Sequence, residues 1–168
     1  MSIISLIIVI ALGTLGHFVF SWTNSILFAL FFPVNESIFE HMKLTFFPFL
    51  FVGLFRYTKL EKNKYFLKLV VSSLIGTICI PILYYFYTSF IESSPIINII
   101  IFIISCVVQE FIFYKLMNSD KEYSIGNPEG IISIFTISLA FIVFTFYPPR
   151  FELFKDPNDL TYGYFKAK

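Results

Sequence analysis

Four stretches of the chain, residues 1–35, 69–91, 93–109 and 130–149, contain no Asp, Glu, Lys or Arg. A further uncharged run, LTFFPFLFVGLF, occupies residues 44–55. Apolar runs of roughly 18 residues or more match the ~30 Å hydrocarbon core of a bilayer, which a helix crosses in about 20 residues at ~1.5 Å each. Water is absent from that layer, so every backbone N–H and C=O must bond within the protein. A continuous apolar run does this as a helix. Charged residues are 14% of the 168, against about 25% in soluble domains. The sequence therefore predicts an all-α fold, a polytopic transmembrane helical bundle with the lipid bilayer as its partner.

Five spans are predicted, at about 3–22, 37–57, 66–87, 96–116 and 130–146, in a single integral membrane domain covering 1–168. Trp22 is placed to anchor the first span at the interface. The segment TNSILFALFFPV is too short to cross again and too apolar for an ordinary loop, which predicts a short interfacial or re-entrant hairpin. Pro148 and Pro149 stop the last span, since proline cannot continue a helix, and leave an extramembrane tail over 147–168. The first run has no basic leader and no clean small-residue cleavage site, so it reads as a retained helix rather than a signal peptide.

Lys and Arg near span ends favour the cytoplasmic side. Arg56, Lys59, Lys62, Lys64 and Lys68 fall between spans two and three, and Lys115 and Lys121 between four and five. This predicts a multi-pass protein of the cell membrane with a cytoplasmic N-terminus. Residues 23–36, the TSFIESSP loop and the C-terminal tail then lie outside, although Lys155, Lys166 and Lys168 in the tail weaken the bias. The net charge of +1 offers no basic face for nucleic acid. Cys79 and Cys106 lie inside apolar runs, where cysteine packs as a small hydrophobe, and are too few for a zinc framework.

Against this background PVNESIFEHMK, residues 33–43, stands out. It places Glu36, Glu40, His41 and Lys43 together where the chain before it has no charge. Ser37 and Glu40 fit the S-x-x-E capping box, and acids at a helix start offset the positive end of its dipole. Length asks for more than a cap. The uncharged part of the second span is twelve residues, about 18 Å of helix, so the span must use residues from about 37 and draw Glu40 and His41 about a turn inside the boundary. Ionisable groups at that depth face the protein interior or a wet cavity. One arc is expected to hold Glu40 and His41, with Glu36 at its mouth, while Lys43 either reaches outward or stays inside paired to Glu40 or Glu36. Pro48 removes the hydrogen bond to the carbonyl of Leu44 and should bend the helix near the cluster.

His17 lies at matching depth in span one, flanked by Gly13 and Gly16, a small-residue patch that lets another helix approach closely. With five spans, the tail emerges on the same face as the loop after span one. His17, Glu36, Glu40, His41, Asp156 and Asp159 are thus all able to converge there, although DPND is also an ordinary turn. Glu36, Glu40 and His41 are the candidate catalytic residues. His17, His41, Glu40 and Asp156 are the candidate metal ligands, a set that suits zinc, manganese or iron. The same groups are able to relay protons without a metal. No H-E-x-x-H, G-x-S-x-G or P-loop occurs. Glu110, near the cytoplasmic end of span four, reads as a satisfied or snorkelling acid, with a proton-linked site as the alternative.

The block HFVF…PVNESIFEHMKLTFFPFL resembles a bacterial family of small multi-pass membrane proteins classed as a domain of unknown function. Its members carry a His late in the first helix, a P-V-N-E-S-x-W/F-E-H-x-K-L block and a D-P-x-x-G-x-Y-G-like tail. The matching positions are His17, Pro33 to Leu44, Asp156, Pro157, Tyr162 and Gly163, with Leu160 standing in place of a glycine. The resemblance implies a multi-span helical protein in a bacterial membrane and no particular substrate. Three functional classes remain open. One is a membrane-embedded enzyme, metal-dependent or acid/base, acting on a lipid or lipid-linked substrate. The second is a proton- or ion-coupled transporter component, formed as a homo-oligomer. The third is an accessory or assembly subunit that docks a membrane partner protein.

Overall fold

The computed structural model describes residues 2–57, 64–119 and 126–165. Among these are six α-helices and one 3-10 turn, and no strand longer than an isolated bridge. Five helices are long and apolar enough to cross a membrane: α1 (Ile3–Thr23), α3 (Ile38–Tyr57), α4 (Tyr65–Thr88), α5 (Pro95–Met117) and α6 (Asn127–Phe146). The molecule is an all-α polytopic bundle. The apolar stretch between the first two spans holds a single helical turn, α2 (Ile26–Ala29), opened by Ser25 and followed by a non-helical PVNES segment. The 3-10 turn (Glu152–Phe154) opens the C-terminal tail. Of the basic residues used to orient the chain, Lys59, Lys62, Lys121, Lys166 and Lys168 lie outside the described residues.

Helix α3 is the least apolar of the five and the most enclosed. That inversion follows from the solvent. Lipid-facing helices must be apolar all round, so polar groups retreat to the helix that other helices surround. Along one side α3 meets α1, where Gly13 faces the Leu44 carbonyl so closely that a Cβ would come to 2.5 Å of it. That is the carbonyl released by Pro48, whose ring sits inside α3. Proline and glycine thus act as a pair: one frees a backbone oxygen, the other lets α1 close over it. Towards α6, aromatic rings fill the gap. Phe39 and Phe46 lie 5.1 and 4.9 Å from Phe141, and Phe154 of the tail lies 4.5 Å from Phe39. Aromatic pairs at such separations add to the energy of packing alone.

At one end of the bundle Glu110, fully buried, is held by Arg56 of α3. One guanidinium nitrogen lies 2.9 Å from each carboxylate oxygen, and the guanidinium rests over the Phe113 ring at 4.7 Å. The backbone N–H of Ser2 adds a donor at 3.3 Å. The acid is satisfied, by a partner on α3.

At the other end the tail folds back across the helix tips. Tyr164 N–H donates to the Thr145 carbonyl at 2.7 Å, and Tyr164 packs on Phe20 and Phe146. Gly163 has φ +63°, and a Cβ there would meet the Thr145 carbonyl at 2.5 Å, so only glycine fits the crossing without strain.

Candidate functional site

Three side chains converge at the tail end of the bundle. His17 projects from the last third of α1, His41 from the first turn of α3, and Glu36 from the segment just before α3. Nε2 of His17 and Nε2 of His41 are 3.3 Å apart. Oε2 of Glu36 is 3.6 Å from the first and 3.4 Å from the second. The imidazoles are partly buried and Glu36 is exposed, so the group opens outward.

Local sequence explains the placement. Gly16, beside His17, receives the Phe32 ring so closely that a Cβ would lie 2.6 Å from it, which seats the PVNES segment against α1. Ser37 starts α3 by accepting the Glu40 N–H at 3.3 Å. The reciprocal half of the capping box is absent. The Ser37 N–H is taken instead by the side-chain oxygen of Asn35 at 3.0 Å, and Glu40 is employed elsewhere. Nδ1 of His41 lies 2.9 Å from the Ser37 carbonyl. A carbonyl only accepts, so Nδ1 carries the hydrogen, and in the neutral ring Nε2 presents a lone pair to the cluster. Nδ1 of His17 is buried without a hydrogen-bond partner.

Glu36 lies before the membrane-spanning part of α3. Hydrogen bonding to His17, then to His41, holds its carboxyl far below the usual carboxylate range, against the opposing effect of partial burial. Its carboxylate is therefore ionised.

Glu40 takes a different place from the one the sequence led us to expect. Its carboxylate lies outside the His17–Glu36–His41 group and is fully buried. Oε2 meets Lys43 Nζ at 2.8 Å and the Val34 N–H at 3.0 Å, and Oε1 accepts the Thr145 hydroxyl at 2.9 Å. Lys43 is equally buried and donates on to the Ala29 carbonyl at 3.0 Å, at the end of α2. Within a single turn of helix the two roles diverge, Glu40 and His41 being about 100° apart. His41 turns toward α1, whereas Glu40 and Lys43 turn toward α6 and the hairpin.

Asp156 also stands outside the group, one step behind it. Its Oδ2 accepts the Glu36 N–H at 3.1 Å and its Oδ1 accepts the Asn158 N–H at 2.8 Å. Asp159 accepts Thr161 N–H and hydroxyl at 3.0 and 2.6 Å, the local turn chemistry expected of DPND. The six residues expected at one face are thus at one face, and three of them are in mutual contact. Asn35 and Thr145 were not anticipated. Asn35 lies inside the N-E-S block and was legible in principle. Thr145 is one hydroxyl in an apolar helix and carries no such signal.

A helical membrane bundle with an imidazole–carboxylate cluster at one face is the class these features define. The chain belongs to the family of unknown function DUF6512, whose profile matches residues 1–164. No curated protein and no solved structure matches it.

Proposed function

We propose that His17, Glu36 and His41 form a divalent-metal centre, and that the protein is a membrane-embedded metal-dependent enzyme acting on a lipid or lipid-linked substrate. The observation that carries this is the triangle of 3.3, 3.4 and 3.6 Å between the three ligand atoms. Ligands at about 2.0–2.1 Å from a tetrahedral zinc ion lie about 3.3–3.4 Å apart. Neighbouring ligands of an octahedral ion at about 2.1 Å lie only about 3.0 Å apart. The spacing favours zinc over six-coordinate manganese or iron. Two histidines and one glutamate also leave a fourth position, the pattern of catalytic rather than structural zinc, and such an ion lowers the pKa of a bound water toward 7.

Further support comes from the second nitrogen of His41. Donation from Nδ1 to a backbone carbonyl fixes the tautomer of metal-binding histidines generally. Depth supports the substrate class. His17 precedes the end of α1 by under two turns, near Phe18 and Trp22, whose rings stack at 5.7 Å, an interfacial aromatic pair beside the site. With Arg56, Lys64, Lys68 and Lys115 at the other end, the site faces the extracytoplasmic side. Glu40, with both oxygens engaged, serves as a structural acid rather than as base. The Arg56 clamp on Glu110 disfavours a proton exit there, and with it the transporter.

The test is elemental analysis of the detergent-purified protein beside His17→Ala, Glu36→Ala and His41→Ala. Near one zinc per chain, lost in each folded variant, is expected. Zinc absent from wild type after reconstitution in zinc-containing buffer overturns the centre. With zinc retained, hydrolysis of a membrane lipid extract by wild type and its loss in Glu36→Ala is the further expectation. An intact extract after prolonged incubation overturns the hydrolytic assignment.

A further inference from the structure

We infer that Asp156 is the positioning residue of the centre, and that the C-terminal tail acts through it to hold Glu36 in place. This rests on the metal reading above. Of the three ligands, His17 and His41 stand on helices, whose backbones fix their Cα positions. Glu36 stands on the irregular segment before Ser37 and is exposed, so nothing in its own element fixes it. Ligand geometry needs to be held to within about 0.5 Å, and ligands on loops depend on the shell behind them.

Asp156 supplies that shell. It is buried, and four bonds tie it down or pass through it. Its own N–H donates to the Thr161 carbonyl at 2.9 Å, and its carbonyl accepts the Leu160 N–H at 3.0 Å. Its two carboxylate oxygens then hold Asn158 N–H on one side and Glu36 N–H on the other. A bond from a carboxylate to a backbone N–H is charge-assisted and stronger than a neutral one. The residues on both sides of Glu36 are secured as well. Asn35 donates to the Gly163 carbonyl at 3.3 Å and receives the Ser37 N–H at 3.0 Å. The tail therefore grips the PVNES segment at Asn35 and Glu36, directly behind the ligand. The same DPND segment that reads as a plain turn has one carboxylate turned inward for this purpose.

The experiment measures zinc affinity of wild type, Asp156→Ala, Asp156→Asn and Glu152→Ala in lipid nanodiscs, with melting of the metal-free proteins and the visible spectrum of cobalt-loaded samples. Losing a residue that orients a metal ligand costs about 10–100-fold in metal affinity, and Asp156→Ala is expected in that range. Asp156→Asn keeps one acceptor oxygen for two backbone donors. It is expected near the lower end, with metal-free melting close to wild type and an altered cobalt spectrum, which a purely structural role would leave unchanged. If Asp156→Ala does not fold, Asp156→Asn decides. Glu152→Ala, in the same tail but on an exposed ion pair with Lys155, is expected to bind as wild type. Unchanged affinity and spectrum in a folded Asp156→Asn overturn the positioning role alone, as does an equal loss in Glu152→Ala. Wild type that binds no zinc overturns the centre itself and the role with it.

Discussion

At the scale of single residues, the cluster poses a problem of charge. His41 Nε2 offers a lone pair, Glu36 Oε2 carries negative charge, and they sit 3.4 Å apart. His17 Nε2 is able to give a hydrogen to one of them but not to both at once. A second proton on an imidazole would relieve this, as would the cation proposed above. Leu160 poses a second local problem. Its φ is +61°, left-handed, and its side chain is exposed. The αL conformation costs a non-glycine residue about 1–2 kcal/mol, partly offset by the extra freedom that glycine has in the unfolded chain. The glycine expected here from the D-P-x-x-G pattern is the residue this backbone asks for. Leu160→Gly is predicted to stabilise by roughly 0.5–1 kcal/mol, read as a rise of about 1–4 °C in melting temperature. Leu160→Ala keeps the Cβ and should not gain. Equal midpoints for the two variants would refute the strain.

At the scale of elements, the spans were legible and so was the Glu40–Lys43 pairing as one of the alternatives, whereas the partners of Glu40 on other elements were not. The predicted 37–57 and 96–116 lie within one residue of Ile38–Tyr57 and Pro95–Met117, because uncharged length alone dictates a crossing helix. The last span starts earlier than the expected 130, at Asn127, because Pro128 fits the first turn of a helix. Neighbouring positions on a helix differ by about 100°, and that decides which side chains share a site. Grouping Glu40 with His41 asked that one arc hold both. The structure divides them, because Thr145 of α6 and the hairpin backbone offer Glu40 bonds that no local sequence pattern announces.

The Glu40–Lys43 pair is thus the tie between α3, α6 and the α2 segment with Val34 behind it. Removing one member of a buried pair leaves the other charge uncompensated, at about 3–5 kcal/mol. Lys43→Met and Glu40→Gln are each predicted to lose that much, seen as lower yield of monodisperse protein and a lower melting point. The double variant should recover more than half of the loss. Single variants as stable as wild type would show that the pair holds nothing together.

At the scale of the whole molecule, the two ends of the bundle differ in kind. One end is closed by Arg56 on Glu110, with its charge neutralised and its ring support in place. The other gathers the tail, the PVNES segment and the open His17–Glu36–His41 triangle. Between them α3 runs with Thr45 and Phe39, Phe46, Phe47 and Phe49 turned inward. A molecule so polarised carries its polar cluster at one end, and the orientation proposed above puts that end outside the cell.

This placement is open to direct measurement. Glu152→Cys marks the tail end, and Asn118→Cys, at the exposed close of α5, marks the opposite end. The native Cys79 and Cys106 lie in the middle of α4 and α5, away from both ends of the bundle, so wild type gives the background. A membrane-impermeant maleimide added to intact cells is predicted to label Glu152→Cys and to leave Asn118→Cys unlabelled until the membrane is opened. The reverse pattern would turn the site to the cytoplasm and require a cytoplasmic supply of its substrate, with the triangle of ligands unaffected. Labelling of both positions in intact cells would contradict a bundle whose two ends lie on opposite sides of the bilayer, and with it the five-span topology.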